Sequence, residues 1–247
     1  TAVSSGTTEQ LKSYFNLSDA YLGWAVGMAL LGTILGALTA GKPADRFGRK
    51  KVLAVIGILY MVGALGSAFA TDIIALEVFR FLGGIGVGAA SVCAPIYTAE
   101  IAPAKVRGRL VGLVQFNIVL GILLAYLSNT IIRSVVADHT TDWRWMFGVM
   151  AVPSAIFLAL LFTVPETPRW LMANGREEEG RAIIRRLTTT EEEATFQIDE
   201  INASLHASEN APKVPFFTRG HMKVILLAFT IAMFNQMSGI NAILYYA

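Results

Sequence analysis

Apolar residues in this chain come in long blocks separated by short polar breaks. A helix needs about 20 apolar residues to cross a hydrocarbon core of about 30 Å. Six blocks reach or approach that length, at 20–40, 52–70, 73–97, 110–132, 144–164 and 222–247. Residues 1–6 read as the end of an earlier span, and 7–19 as a segment outside the membrane. The pattern predicts an all-α membrane protein in three parts. Residues 1–164 form a transmembrane bundle, 165–221 a polar helical linker, and 222–247 the start of a second bundle. Both chain ends fall in apolar sequence, so the chain reads as a fragment.

The polar breaks differ in charge. Lys42, Arg46, Arg49, Lys50 and Lys51 follow the first block, and Lys105, Arg107 and Arg109 follow the third. The break at Thr71-Asp72 is tiny, and 133–142 is mixed. Basic residues in short loops stay in the cytoplasm. Residues 41–51, 98–109 and, by crossing parity, 165–221 are therefore expected there, with the alternate loops outside. Within 165–221, Arg176 to Leu187 reads as a charged amphipathic helix. A second helix starts at Thr190-Glu191-Glu192-Glu193, with Thr190 as N-cap and Glu193 at the capping-box position.

Composition agrees. Hydrophobic residues make up 54% and charged residues 15% of the 247 residues, against about 25% charged in a soluble domain. The net charge of +2 gives no reason to expect nucleic-acid binding. The single cysteine, Cys93, lies in an apolar run and reads as a small buried hydrophobe. No catalytic set, phosphate loop or metal-ligand cluster is legible, so neither an enzyme nor a cofactor is expected.

Charge inside a span is costly and marks function. Arg80 follows Glu77 by three residues early in the block at 73–97. Glu77 reads as interfacial. Arg80 needs an acidic or carbonyl partner, or else reaches the outer interface. Gly83, Gly84, Gly86 and Gly88 then let another helix come close. Pro95 and Pro153 are expected to kink their helices. Gln115 and Asn117 lie early in the block at 110–132, and Asn235, Gln236 and Asn241 lie in the last block with Tyr245. Such carboxamides suit a neutral, hydroxyl-rich ligand. Hydrogen bonding between helices explains them equally well.

Several segments resemble the sugar porters of the major facilitator superfamily. They are Gly41-Lys42-Pro43-Ala44-Asp45-Arg46-Phe47-Gly48-Arg49-Lys50, Arg80-Phe81-Leu82-Gly83-Gly84, and Pro95 through Pro103 running into Arg107-Gly108. Trp143-Arg144, Pro165-Glu166-Thr167-Pro168-Arg169-Trp170-Leu171 and Asn235-Gln236-Met237-Ser238-Gly239-Ile240-Asn241 complete the set. The likeness is to bacterial pentose and hexose–proton symporters. It implies a fold of two six-helix halves with a central sugar site, of which this chain supplies the N-terminal bundle with a truncated first helix, the intracellular helices and the first helix of the second half. The implied function is alternating-access transport of a monosaccharide across the cell membrane with protons, by a monomer. A facilitative uniporter and a transporter-like sugar sensor are the alternatives.

The resemblance maps sugar contacts onto Gln115, Asn235, Gln236, Asn241 and Tyr245, and proton coupling onto Arg80. Asn235 stands where the family has glutamine. In proton-coupled members an aspartate directly precedes the position of Thr1 and pairs with the arginine matching Arg80. Met150 stands where a xylose–proton carrier pattern has glutamate. Asp45, Arg46, Arg49, Glu100, Arg107, Glu166 and Arg169 match a cytoplasmic charge network that latches the two halves in the outward-facing state.

Overall fold

The computed structural model describes residues 2–103, 106–136, 140–210 and 218–237. Twelve helices occur among them. They are α1 (Ala2–Phe15), α2 (Asp19–Thr39), α3 (Gly41–Phe47), α4 (Arg49–Ala68), α5 (Ile73–Ile101) and α6 (Arg107–Val135). Next come α7 (Asp142–Gly148), α8 (Ala151–Leu161), α9 (Pro168–Ala173), α10 (Glu177–Leu187), α11 (Glu191–Asn210) and α12 (Arg219–Met237). Five helical stretches are long and apolar enough to cross a membrane: α2, α4, α5, α6 and the run from Asp142 to Leu161. The chain is a multi-pass helical membrane protein.

Local chemistry sets the helix ends. The Ser18 hydroxyl accepts from the Tyr21 N–H at 3.3 Å and starts α2, and Asp72 accepts from the Ala75 N–H at 2.8 Å and starts α5. Asp72, the lone charge of its tiny loop, is thus an N-cap. Proline explains two interruptions. It has no N–H and crowds the carbonyl four residues back. Pro43 lies four residues after Thr39, where α2 ends, and a bend at Ala40 leads into α3. The basic loop expected at 41–51 is therefore largely helical. Pro153 lies four residues after Val149, and the expected kinked span is split into α7 and α8 at Val149–Met150. Pro95 does not break α5, which runs through it to Ile101.

The tightest packing joins α2 to α5 through glycines. A Cβ on Gly32 or Gly36 would lie 2.2 Å from the Phe81 carbonyl oxygen or 2.1 Å from that of Ile85. A Cβ on Gly84 or Gly88 would lie 2.2 Å from the Ala29 oxygen or 1.9 Å from that of Thr33. The glycines expected to admit a neighbour therefore do so, and α2 answers with two of its own at the same four-residue spacing. On the other side of α5, a Cβ on Gly63 of α4 would lie 2.8 Å from the Cα of Gly83.

Apolar clusters occupy both ends of the bundle. At the end expected outside, Leu11, Leu22, Ala68, Leu76, Trp143, Met146 and Phe147 pack together. At the other end, Ala40, Ala44, Leu53, Ile56, Ala89, Cys93 and Leu161 do so. Cys93 is buried, as its surroundings predict. The helix α6 touches the first cluster through Ala125 and Ile132, which share a helix face with buried Asn129. Below the bundle, Met172, Ile184, Ala194 and Ile198 give α9, α10 and α11 their own core. The Glu193 N–H donates to the Thr190 hydroxyl at 3.3 Å, the expected cap of α11. The first helix continues through Phe15, so much of the stretch read as outside is helical.

Candidate functional site

Three sets of polar residues remain once the apolar packing is accounted for. The first is a charge cluster at the end expected to face the cytoplasm. Arg49, in the first turn of α4, is its centre. Its Nη2 donates to Glu100 Oε1 at 3.1 Å, its Nε lies 3.0 Å from Oε2, and its Nη1 donates to the Ala44 carbonyl at 3.1 Å. Asp45, one turn earlier on α3, lies 3.0 Å from Nη2. The Arg49 and Glu100 side chains are only 12% and 13% exposed, while Asp45 is 76% exposed. The Arg49–Glu100 pair therefore carries the electrostatic weight of the cluster. A guanidinium suits this role because it is planar and meets a carboxylate with two donors.

Glu166 extends the cluster to the chain that follows α8. Both of its oxygens accept from the Lys50 N–H at 3.1 Å, and Oε1 accepts from the Thr167 N–H at 2.9 Å. Its carboxylate caps the N-terminus of α4, where unsatisfied N–H groups and the helix dipole favour an anion. Gly48 makes room for it. Its φ is +99°, and a Cβ there would stand 2.3 Å from Glu166 Oε2. Trp170 Nε1 donates to the Asp45 carbonyl at 2.8 Å, and the Tyr97 hydroxyl donates to the Pro165 carbonyl at 2.7 Å. These two tethers fix α9 and the end of α8 against α3 and α5. Of the seven residues expected in the network, Asp45, Arg49, Glu100 and Glu166 come together. Arg46 points away, with its guanidinium 5.3 Å from the Phe47 ring centre. Arg107 and Arg169 are half-buried and form no ion pair among the described residues. Sequence reasoning did not single out Gly48, Tyr97 or Trp170, although all three stand inside the motifs it used.

The second set surrounds Arg80, which is 8% exposed. Its guanidinium carbon lies 5.2 Å from the centre of the Phe147 ring on α7, within cation–π range. Glu77, one turn before it, is also 8% exposed. Glu77, expected near the interface, is packed inside the bundle. It shares the α5 face of Gly84 and Gly88, which packs against α2. Nearer the helix ends, Gln10 Nε2 donates to Asp142 Oδ2 at 3.0 Å, and Asp142 is fully buried. Arg144 lies between Tyr14 and Trp143, 5.5 Å and 4.5 Å from their ring centres, and donates to the Ala68 carbonyl at 2.9 Å. The buried acid Asp142 was not foreseen, because it sits at a helix end in a loop of mixed charge.

The third set is the carboxamides. Gln115 and Asn117 are exposed on α6, beside Phe116 and Val119, which are 60% and 57% exposed. No described helix covers this surface. Asn235 and Gln236 fall on the last turn of α12, with side chains outside what is described, and Asn241 and Tyr245 lie outside the described residues. The helix α12 packs closely against none of the other described helices. Of the expected sugar contacts, Gln115 alone has its side chain among those described.

Comparison with known proteins places these features in a family. A family model described as "Sugar (and other) transporter" matches residues 2–247. The D-xylose-proton symporter of Escherichia coli K12 is 38% identical across 100% of this chain and 56% of its own length. The arabinose-proton symporter of the same strain is 35% identical across 99% of this chain and 51% of its own. The partially occluded inward-open structure of the xylose transporter XylE from E. coli superposes with a TM-score of 0.87 at 37% identity, covering 100% of this chain and 61% of that one. The chain thus spans little more than half the length of the curated relatives it matches. With its family model matched almost end to end and its helices superposing on a major facilitator transporter, the chain belongs to the sugar transporter family of the major facilitator superfamily.

Proposed function

We propose that the full-length protein carries a monosaccharide, a pentose or a hexose, across the cell membrane by alternating access, in symport with protons. The observation that carries this reading is Arg80. It is a cation held at 8% exposure within a membrane-length helix, in a chain similar along its whole length to proteins named sugar–proton symporters. A buried cation in a span is costly unless it has work to do. In this reading Arg80 answers to a carboxylate. Protonating that carboxylate frees the guanidinium and permits the change of access.

Gln115 would hold sugar hydroxyls from this half, with Asn235, Gln236, Asn241 and Tyr245 doing so from the other. The exposure of Gln115 on α6 supports this, because it suits a surface that a second half and a ligand would cover. Residues 41–51, 98–109 and 165–221 lie in the cytoplasm. Asp45, Arg49, Glu100 and Glu166 hold the inner end of this half rigid, and Arg46, Arg107 and Arg169 remain available to the second half. Opposite charges across such a seam bias one of two rocking states. The carrier works as a monomer.

Counterflow tests this directly. Proteoliposomes holding the full-length protein and loaded with unlabelled sugar should accumulate labelled xylose, arabinose, galactose or glucose. Gln115→Ala should raise the concentration needed for half-maximal exchange at least tenfold, because a hydrogen bond to a substrate hydroxyl is lost. Exchange of none of the four sugars would reject the substrate class. Normal exchange by Gln115→Ala would reject the site.

A further inference from the structure

Arg80 is held on one side by a ring. Phe147 is 3% exposed, and its ring centre lies 5.2 Å from the Arg80 guanidinium. That ring is not free to turn away. It packs edge-on against Trp143 at 6.3 Å, and Trp143, itself fully buried, meets Tyr14 at 5.5 Å and Phe15 at 5.8 Å. An aromatic stack running from α1 through α7 thus presents one fixed ring to a cation on α5.

The other groups in this region have their own engagements. Tyr21 stands on α2, which packs against α5. On α7, Asp142 takes the Gln10 amide, and Arg144 is engaged by Tyr14, Trp143 and the Ala68 carbonyl. Asp72 caps α5, and Asp19 pairs with Lys12. The remaining titratable groups toward this end of the helices packed here are Glu9 on α1, Tyr60 on α4 and Tyr126 and Arg133 on α6. Glu77 shares the helix face of Arg80 one turn away, and its Oε1 is buried with no hydrogen-bond partner among the described residues. A guanidinium is weakly hydrated and stacks well on aromatic faces, and the attraction grows where water is absent.

We propose that Phe147 is a positioning residue for Arg80, holding the guanidinium on its ring whenever the carboxyl that Arg80 answers to is protonated. This rests on the proton-coupled reading above. The chemistry is one proton added to one carboxylate oxygen. The carboxyl becomes neutral, the ion pair is lost, and the cation keeps a partner in the ring. The ring therefore stabilises the protonated state against the ion-paired one. Taking the ring away makes protonation harder, so a more acidic medium is needed to reach the same occupancy.

The test uses the full-length carrier in proteoliposomes. Proton-driven sugar uptake is measured against external pH, and counterflow is measured with equal pH on both sides. Phe147→Leu keeps apolar bulk and removes the ring. Its uptake profile should move about one pH unit toward acid, with counterflow within twofold of the wild type. Phe147→Tyr keeps the ring and should follow the wild-type profile. A Phe147→Leu profile that does not move overturns the proposal. So does an equal shift in Phe147→Tyr, or a loss of uptake and counterflow together without any shift, which marks a packing role. Wild-type uptake with no pH dependence overturns the coupled reading and this inference with it.

Discussion

Changing Gly88 to Ala puts a methyl group where the structure has a carbonyl. The new Cβ would sit 1.9 Å from the Thr33 oxygen and 2.7 Å from the Ala37 nitrogen, both backbone atoms of α2. Ordinary contact begins at 3.4 Å, so α2 and α5 would have to part by about 1.5 Å at this point. A gap of 0.5–1 Å already forfeits a quarter to a half of each contact's dispersion energy. The same displacement would loosen the contacts at Gly32, Gly36 and Gly84, which belong to the same seam. Overpacking of a well-filled core costs about 1–3 kcal/mol, and a rigid seam belongs at the upper end, near 3 kcal/mol. Gly27, on α2 but with nothing within 4 Å of a Cβ, provides the control. There Ala should cost nothing and should gain up to about 1 kcal/mol of helix propensity. Thermal unfolding of the purified full-length protein, followed by tryptophan fluorescence, reads the difference. A loss of 3 kcal/mol corresponds to a drop in Tm of about 3–6 °C in a protein of about twice this length, while Gly27→Ala should leave Tm unchanged or raise it. Equal Tm values for the two variants would refute the claim that α2 and α5 meet backbone to backbone.

Three further outcomes follow from the inner end of the bundle and the helices below it. Arg49→Ala leaves Glu100 as a buried, unpaired charge and should cost about 3–5 kcal/mol, whereas Arg46→Ala, on an exposed side chain, should cost less than about 1 kcal/mol; denaturation of the two variants side by side would show it. Gly48→Ala adds strain at φ +99° and a clash with Glu166, at about 1–3 kcal/mol, and pairing it with Glu166→Ala in a double-mutant cycle should recover only the part due to the clash. The Glu179 carboxyl is held below its ordinary value of 4.5 by a hydrogen bond from Arg176, with Nε to Oε1 at 2.7 Å. A lowered carboxylate value means that the bond supports the start of α10 above the ordinary value and is lost as pH falls through the lowered one. Amide exchange in the first turn of α10 should therefore quicken below about pH 4.5, and Glu179→Gln should remove that pH response.

Much of this was legible in the chain because lipid imposes a simple rule. A span must be helical, apolar and about 20 residues long, so the blocks of apolar residues mark the helices directly. The glycines at 83–88 announced close packing, and α2 met them. Prolines were readable only in part. Pro43, Pro95 and Pro153 look alike in sequence, yet the first and last divide helices and the middle one does not. Periodicity alone does not separate them. The burial of Glu77 and Asp142 was not legible for the same reason. A residue near a helix end can face water or the bundle, and Gln10, the partner of Asp142, stands far away in sequence. The charge network was foreseen as a set. Only the fold separates Arg49, which is buried against Glu100, from Arg46, which points away at Phe47. The proposed sugar site is the least legible, because Gln115 belongs to this half and its other proposed contacts belong to the second.

Proton symport requires sugar and protons to cross together. The most direct measurement is external pH when sugar is added to de-energised, weakly buffered cells or vesicles containing the full-length carrier. A transported sugar should make the medium alkaline, as protons enter with it, and the signal should vanish when a protonophore is present. Sugar uptake with no such pH change would contradict proton symport and leave facilitated diffusion as the mechanism.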